Sequence, residues 1–193
     1  MAAGSEPSSP KPLVGIVLGS DSDYPQMEAA AKLFEELSIP FEMIVSSAHR
    51  SPARTSAYAL KASERGLKAL IAGAGLSAHL AGVLAAHTTL PVIGVPLASG
   101  PLQGQDALYS TVQMPPGVPV ATVGIGASQN AALLAAQILA LSDSDLKTKL
   151  LDRKAAQAVK IEEKAKELEG KLKELPRFCP APAKAFNPEP QDN

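Results

Sequence analysis

Three features are scarce in this 193-residue sequence: cysteine, aromatic side chains and long uninterrupted apolar runs. Cys179 is the only cysteine, which excludes an intrachain disulfide and a metal cluster built on cysteines. No apolar run free of glycine, proline and charge reaches the length that spans a membrane. The segment from Met1 to Pro10 lacks the apolar stretch of a signal peptide. We therefore expect a cytoplasmic protein without a membrane partner.

The sequence also lacks an excess of charge of one sign, since its formal net charge at pH 7 is −1. A broad nucleic-acid surface needs a strongly basic balance, so no nucleic-acid partner is expected. Alanine, glycine and valine are abundant instead, which suits helices packed tightly on a parallel sheet. A chain of this length predicts one domain with a sizeable core and spare length at its ends.

Short apolar runs alternate with segments of helical periodicity along most of the chain. The runs are 13–18, 41–45, 67–72, 92–95 and 120–125, and the helical segments include 54–65, 80–87, 106–112 and 129–141. Continuous apolar runs are typical of strands buried on both faces. Regular alternation of such strands with helices indicates right-handed βαβ units. We predict an α/β fold, a three-layer α/β/α sandwich with a parallel sheet.

Composition changes mark the ends of this domain. We predict a loose N-terminal extension over 1–12, a catalytic α/β domain over 13–142, a long C-terminal helix over 143–175 and a proline-rich tail over 176–193. The helix carries a narrow apolar stripe with the alternating spacing of a coiled-coil seam: Ala158, Ile161, Ala165, Leu168, Leu172 and Leu175. We expect it to dock on a neighbouring subunit, because so narrow a stripe does not cover a sheet face.

The second apolar run ends in Ser47, Ala48, His49 and Arg50, and a proline follows where a helix would begin. Ligands of parallel sheets bind at the carboxyl ends of the strands. A histidine side chain exchanges protons near neutral pH, as a general acid or base must. An arginine holds an anion in fork geometry, although a lone arginine is more often a surface ion pair.

The first strand runs into Gly19, Ser20, Asp21, Ser22 and Asp23, ahead of a helix. Backbone N–H groups at such a turn, with the Ser20 hydroxyl, could hold a phosphate. The alternative is that Ser22 or Asp23 only caps the helix. The segment lacks the three glycines of the dinucleotide fingerprint and the Gly-Lys-Ser/Thr of a P-loop. Asp23 would repel a phosphate, so its carboxylate suits ribose hydroxyls instead.

The third run leads into a loop of small residues, 73–79, that offers almost no side chain. Glycine lets a ligand approach the backbone closely, so Ala74 and Gly75 could lie against a planar base or a small co-substrate. The alternative is that the glycines of this loop only allow a helix to pack tightly on the strand. His79 could contact the second loop or the ligand, or serve the fold alone. No metal is expected, because the three histidines have no carboxylate at ligand spacing.

Several of these segments together resemble the PurE family of de novo purine biosynthesis. They are Gly19-Ser20-Asp21-Ser22-Asp23, Ser47-Ala48-His49-Arg50, Ala72-Gly73-Ala74-Gly75, Ala78-His79-Leu80, Val112-Gln113-Met114-Pro115 and Asn130-Ala131-Ala132-Leu133-Leu134-Ala135. The resemblance runs from about Val14 to Leu141. The PurE family comprises N5-carboxyaminoimidazole ribonucleotide mutases and the catalytic subunit of phosphoribosylaminoimidazole carboxylases. The third loop, with its histidine, is more similar to the mutase class.

The resemblance implies a flavodoxin-like sheet, a homo-octamer and no cofactor. The mutase moves a carboxylate from N5 to C4 of the imidazole through CO2, and the alternative is direct carboxylation of aminoimidazole ribonucleotide by CO2. It implies a catalytic His49. It also implies a substrate-binding set in which Ser20, Ser47 and Arg50 hold the phosphate, Asp23 the ribose, and Ala48, Ala74, Gly75, Ala78, His79 and Leu80 complete the pocket.

The sequence departs from the commonest mutase pattern in several places: Ser51 for threonine, Leu76-Ser77 for Gly-Ala, Ala81-Gly82 for Pro-Gly, and a short loop at 126–129. A third alternative is a non-catalytic nucleotide-phosphate binding domain on the same fold. A receiver domain would need an acidic strand end and a lysine after the fifth strand. A flavodoxin would need aromatic side chains around its flavin, and these are missing.

Overall fold

The structure, a computed structural model, describes residues 10–180. Within them, the strands are β1 (Val14–Leu18), β2 (Phe41–Val45), β3 (Ala69–Gly75), β4 (Val92–Leu97) and β5 (Ala121–Thr122). The helices are α1 (Tyr24–Leu37), α2 (Pro52–Ala62), α3 (Leu80–Ala86), α4 (Gln105–Val112), α5 (Ser128–Leu139) and α6 (Ser144–Leu172), and a 3₁₀ turn at Asp21–Asp23 precedes α1. The predicted α/β class and the alternation of strands and helices are confirmed.

The strands form one parallel sheet in the order β2-β1-β3-β4-β5. This is the flavodoxin-like order, in which the direction of strand succession reverses between β1 and β3. The chain leaves β1 toward β2 on one side and reaches β3 on the other. Loops that leave the carboxyl ends of β1 and β3 therefore diverge, and a crevice opens between them.

Helices cover both faces of the sheet, which confirms the three-layer sandwich. Helices α1 and α5 pack on each other over one face, while α2, α3 and α4 cover the other. Between the sheet and helices α2 and α3, apolar side chains from both layers are fully buried, such as Val17 and Leu70 on the sheet and Ala59 and Leu84 on the helices. Much of this core is alanine, which lets the helices lie close to the sheet.

Strand β3 extends further than the sequence predicts. The run 67–72 suggests that the strand stops before Gly73, because glycine is depleted in strands. In the structure Gly73 pairs with Val95, Ala74 with Pro96 and Gly75 with Leu97. The neighbouring β4 continues to Leu97, so pairing with it holds these small residues extended. Residues 73–75 are thus strand rather than loop.

Strand β5 is shorter than predicted, two residues in place of 120–125. Gly94 faces β5, since its carbonyl accepts the Val123 N–H at 3.1 Å. Alternate residues of a parallel strand face the same neighbour, so Pro96 faces β5 as well. Proline has no N–H to donate, and the regular ladder ends before it. The Pro96 carbonyl still accepts from Gly126 at 2.9 Å.

Helix α2 begins at Pro52, two residues before the predicted start of 54. Proline favours the first turn of a helix, where its missing N–H has no partner to lose. The helix ends at Ala62 and is followed by turns up to Gly66, whose φ is +97°. The left-handed conformation of Gly66 agrees with its predicted place after a helix end.

The described chain divides into two compact units after Lys147. The predicted long C-terminal helix is confirmed as α6. At its start the Asp143 carboxylate accepts the N–H groups of Asp145 and Leu146 at 3.1 and 2.9 Å, and Leu146 is buried. The four predicted segment boundaries stay predictions, and residues 1–9 and 181–193 of the two loose segments lie outside the described residues. Among residues 10–180, no helix combines the length and apolarity needed to cross a membrane.

Candidate active site

A cleft of about 630 Å³ lies at the carboxyl ends of β1, β2 and β3, beside the point where the strand order reverses. Its lining comes from all three predicted loops and from one residue after β4: Gly19, Ser20, Ser22, Asp23, Ser47, Ala48, His49, Arg50, Ala74, Gly75, Leu76, Ser77, Leu80 and Ser99. Small and polar side chains dominate this set. The parallel sheet thus brings together segments that are up to 80 positions apart in the sequence.

The loop after β1 is held by the carboxylate of Asp23, which accepts the backbone N–H of Ser20 at 2.9 Å. The loop is also tied to β3, because the Gly19 N–H donates to the Gly73 carbonyl at 3.0 Å. Ser22 donates to the Ser20 hydroxyl at 3.0 Å, so two hydroxyl groups lie together in the cleft. Asp23 therefore organises the loop and does not bond to the N-terminal turn of α1.

Burial raises the pKa of the Asp23 carboxyl above its ordinary value of 3.8. Removal of water from the carboxylate is the largest influence on this pKa. The Ser20 N–H and the positive charge of Arg50 act in the opposite direction, and the neighbouring Asp21 acts with burial. The Asp23 carboxylate is thus under-solvated in the free protein, and hydroxyl donors of a ligand would stabilise its charged form.

The loop after β2 forms a tight turn in which Ser47 and Ser51 bond reciprocally. The Ser47 N–H donates to the Ser51 hydroxyl at 3.1 Å, and that hydroxyl donates to the Ser47 carbonyl at 3.0 Å. The Arg50 N–H bonds the Ser47 hydroxyl at 3.2 Å, and Arg50 Nη2 donates to the Gly19 carbonyl at 3.1 Å. Arg50 therefore links the first two loops while most of its guanidinium donors stay available to an anion.

His49 and His79 are hydrogen-bonded to each other across the second and third loops. His49 Nε2 lies 2.9 Å from His79 Nδ1, and the two rings are nearly perpendicular. One of these nitrogens must carry the shared proton, so the tautomer of one ring sets that of the other. This contact orients His49 at the edge of the cleft. The third histidine, His87, lies at the end of α3 with Nδ1 2.8 Å from the Val83 carbonyl.

The glycines of β3 make room for protein side chains as well as for the cleft. A Cβ on Gly73 would lie 2.8 Å from the sulfur of Met27, so this glycine serves helix–strand packing. A Cβ on Gly75 would lie only 1.9 Å from the Ser99 hydroxyl. The chain then turns at Leu76 with φ +53°, an uncommon value for a bulky residue. Both glycines therefore make room for a protein side chain, and Gly75 also lines the cleft.

Most of the predicted site residues line the cleft: Ser20, Asp23, Ser47, Ala48, His49, Arg50, Ala74, Gly75 and Leu80. Ala78 and His79 are absent from its described lining. Ala78 is buried and its carbonyl accepts from the Thr111 hydroxyl at 3.4 Å, while His79 reaches the site through His49. Sequence reasoning did not place Ser99 in the site. Its position after β4, on the same sheet edge, is the signal that could have found it.

The segment that carries Ser99 is held by α1. The Gln26 side-chain amide donates to the Ala98 carbonyl at 3.1 Å, and its oxygen accepts the Ala98 N–H at 3.0 Å. Among residues 10–180, no group of three or more histidine, cysteine, aspartate or glutamate residues is placed so that it could hold a metal ion. The cleft thus combines a guanidinium that can hold an anion (Arg50), a carboxylate that can accept from hydroxyl groups (Asp23), a wall of small residues and a histidine that can transfer a proton (His49).

Comparisons with known proteins agree with the family resemblance of the sequence. The family model described as AIR carboxylase matches residues 13–160, which extends beyond the segment from Val14 to Leu141 that carries the resemblance. The N5-carboxyaminoimidazole ribonucleotide mutase of Pyrococcus horikoshii is 54% identical over 161 residues, which are 83% of this chain and 91% of that protein. The mutase of Synechocystis sp. is 52% identical over 84% of this chain and 92% of its own length.

Two further matches extend the comparison. The phosphoribosylaminoimidazole carboxylase of Saccharomyces cerevisiae is also 54% identical, over 82% of this chain but only 28% of that longer protein. Among solved structures, the crystal structure of Treponema denticola PurE matches with a TM-score of 0.74 at 30% identity. That match covers 81% of this chain and 98% of the Treponema chain.

Proposed function

We propose that this chain, which belongs to the AIR carboxylase family, is an N5-carboxyaminoimidazole ribonucleotide mutase of purine biosynthesis. It is thus an isomerase that moves a carboxylate from N5 to C4 of the substrate's imidazole. The observation that carries this proposal is the cleft, which combines an arginine, a hydroxyl-accepting carboxylate and a histidine beside a wall of small residues. Mutases with these printed names are 49–58% identical to the chain.

The substrate's phosphate would bind at Ser20, Ser47 and Arg50. The Arg50 guanidinium, with donors beyond the one used on Gly19, supplies charge and fork geometry. The ribose hydroxyls would donate to Asp23, which restores the hydrogen bonds that burial removes from this carboxylate. The order phosphate, ribose, base then follows from these two anchors.

The imidazole would lie against Ala48, Ala74, Gly75 and Leu80, which present little polar surface. Ala78 contributes to this wall as buried support, through its contact with Thr111. Released CO2 is neutral and has no charge by which to hold it. A small, enclosed space is what retains it between the two half-reactions.

In this scheme one histidine, His49, both donates and takes back the proton that the reaction requires. Protonated His49 gives a proton to N5 while the bond between N5 and the carboxylate breaks, and CO2 leaves. The free amine makes the ring nucleophilic, and C4 attacks the CO2 carbon. C4 then carries both a hydrogen and the new carboxylate, and neutral His49 removes that hydrogen as a proton, which restores the aromatic ring. The starting state of His49 is regenerated.

His79 would act through His49. Their 2.9 Å hydrogen bond fixes the orientation of the His49 ring and decides which of its nitrogens holds a proton. Between the two half-reactions this bond keeps the imidazole in place while its protonation changes. His79 is therefore a positioning residue in this scheme and need not touch the substrate.

A second candidate is direct carboxylation of aminoimidazole ribonucleotide by CO2, a lyase-type activity. The observation that favours it is the yeast carboxylase, which is as similar to this chain as the archaeal mutase. The test is to incubate the purified protein with the N5-carboxy compound, and separately with aminoimidazole ribonucleotide plus bicarbonate at modest CO2. A mutase is much faster with the first substrate. Faster turnover of the second would establish the carboxylase instead.

We further infer a cytoplasmic homo-octamer that uses no cofactor. The octamer follows from the family resemblance and is supported by exposed apolar side chains near the cleft and on α4, such as Leu76, Leu102, Tyr109 and Val112. The connection 99–113 would be a segment that reaches a neighbouring subunit. Light scattering should give a mass of eight 19.9 kDa chains. A monomer or dimer that turns over at full rate would contradict this assembly.

A further inference from the structure

Helix α6 carries a stripe along most of its length that is apolar except at Lys154. In heptad notation the a positions hold Leu151, Ala158, Ala165 and Leu172, and the d positions hold Lys154, Ile161 and Leu168. We call these residues the seam. Its large members are largely exposed in the single chain, at 59% for Leu151, 62% for Ile161 and 57% for Leu168. Three heptads of such spacing are typical of a coiled coil.

The charges that flank the seam discriminate between orientations of two such helices. The e positions hold Ala155, Glu162 and Glu169, and the g positions hold Gln157, Lys164 and Lys171. In a parallel pair each g residue faces the e residue five places later in the partner helix, which brings Lys164 to Glu169 twice. In an antiparallel pair g faces g and e faces e, so lysine meets lysine and glutamate meets glutamate. The charge pattern therefore favours the parallel pair.

Other residues of the helix fit the same arrangement. Gly170, a weak point for helix stability, falls at f, the position furthest from a partner. Alanine at two a positions allows the backbones to approach closely. Lys154 at d can extend its stem along the seam and keep its ammonium in water at the edge of a two-stranded interface. Glu169 already pairs with Lys173 at 2.8 Å within the helix, and the partner's lysine would join that pair.

We propose that α6 pairs with α6 of a second copy of this chain, as a parallel, in-register, two-stranded coiled coil. An isolated helix of this composition is marginal in water, because packing supplies most helical stability. Attachment to a folded unit that itself associates would raise the local concentration of the second helix. The pairing rests on the seam and its flanking charges and is independent of the catalytic proposal.

Disulfide cross-linking in the full chain tests the pairing. Cys179, exposed and the only native cysteine, is first replaced in Cys179→Ser. Ile161→Cys and Leu168→Cys then each place one thiol in the seam, and Glu163→Cys places one at f as the matched control. In a parallel in-register pair identical d residues lie side by side, so both seam variants should form disulfide dimers under mild oxidation. The control should stay monomeric on a non-reducing gel.

Several outcomes would overturn the proposal. Absence of cross-links in both seam variants would show that the seam packs elsewhere. Cross-linking of only one would indicate an antiparallel pair, in which a residue meets its own copy only near the crossing point. Equal cross-linking of Glu163→Cys would indicate random collisions.

A charge swap provides a second measurement. Lys164→Glu, made in the Leu168→Cys chain, should slow cross-linking by about tenfold, since two attractive pairs become repulsive. Adding Glu169→Lys should restore the rate, and an unchanged rate in both would contradict the parallel arrangement. The same cross-links should form in a His49→Asn chain, which separates the pairing from any failure of the proposed reaction.

Discussion

At the scale of single residues, the contact between His49 and His79 is the feature that most constrains the chemistry. A hydrogen bond of 2.9 Å between two imidazoles requires a proton on one nitrogen and a lone pair on the other. A histidine on its own could turn its ring and offer either nitrogen. With its ring held from the third loop, His49 presents a defined edge, and the two loops must both be in place for this to occur.

Replacement of His49 by asparagine should abolish most turnover and leave nucleotide binding largely intact. The amide keeps some of the shape and polarity but cannot carry a proton, and general acid–base catalysis contributes about 10²–10⁴-fold. Steady-state kcat and equilibrium binding of the ribonucleotide are the measurements. His87→Asn, at the end of α3 and outside the cleft, is the matched control and should keep full activity. Equal loss of binding and turnover would make His49 a positioning group only.

Replacement of Arg50 by alanine should mainly weaken substrate affinity. Loss of a hydrogen bond to a charged group removes roughly 1.5–3 kcal/mol, and Arg50 also ties the first loop through Gly19. Arg54→Ala, an exposed arginine on α2 outside the cleft, controls for loss of surface charge. Calorimetric titration with the ribonucleotide gives the affinities. Wild-type affinity in Arg50→Ala would show that the phosphate binds elsewhere.

Asp23 should make the stability of the free protein depend on pH in a defined direction. Because burial raises its pKa, the folded chain retains a proton at pH values where the unfolded chain has lost it. Stability therefore falls as pH rises from 3.8 through the raised pKa, and the loss persists above it. Asp23→Asn, which can still accept the Ser20 N–H, should lose this dependence and bind the ribonucleotide more weakly. Identical pH profiles in urea unfolding would contradict the assignment.

At the scale of secondary-structure elements, the sequence predicts the extent of a strand well where its apolar run is continuous. It predicts that extent poorly where glycine or proline interrupts the run. The strand β1 and the helix α1 follow from local patterns. The extension of β3 through Gly73–Gly75 depends on its neighbour β4, and the shortening of β5 depends on the missing N–H of Pro96. Both are pairing effects between distant segments, which composition along one segment does not report.

The same reasoning explains what was predictable of the site. Three loops on one sheet edge followed from strand order, and nine predicted residues line one cleft. Ser99 was missed because its place depends on the length of β4 and on the two hydrogen bonds between Gln26 and Ala98. Ala78 came only from the family resemblance, and its burial depends on how the chain packs after β3, which residue type alone does not report.

Gly75 and Ser99 should behave as a coupled pair. Gly75→Ala places a Cβ where the Ser99 hydroxyl lies, at 1.9 Å, and overpacking of this kind destabilises by about 1–3 kcal/mol. Ser99→Gly removes the obstructing side chain, so the double variant should recover most of the lost stability. Urea unfolding of both single variants and the double variant measures the coupling. Additive losses would show that the two residues do not share this space.

At the scale of the whole molecule, the cleft at the sheet edge and the seam on α6 are different parts of the chain with different proposed roles. The sheet edge gathers the groups that we propose to bind and protonate the ribonucleotide, and α6 carries the seam that we propose for pairing. The chain is 54% identical both to the mutase of Pyrococcus horikoshii and to the carboxylase of Saccharomyces cerevisiae, so identity to these two proteins does not choose between the two reactions. The choice depends on whether the CO2 released when the bond to N5 breaks stays in the site until it bonds to C4.

The fate of a labelled carboxylate therefore tests the central claim most directly. The purified protein is given the N5-carboxy substrate with ¹³C in its carboxylate, in buffer that contains unlabelled bicarbonate, and the product's C4 carboxylate is examined by mass spectrometry or NMR. A mutase that confines its CO2 should place most of the label on C4. A product whose carboxylate has the isotopic composition of the bicarbonate pool would contradict the account and show that the enzyme carboxylates its substrate from free CO2.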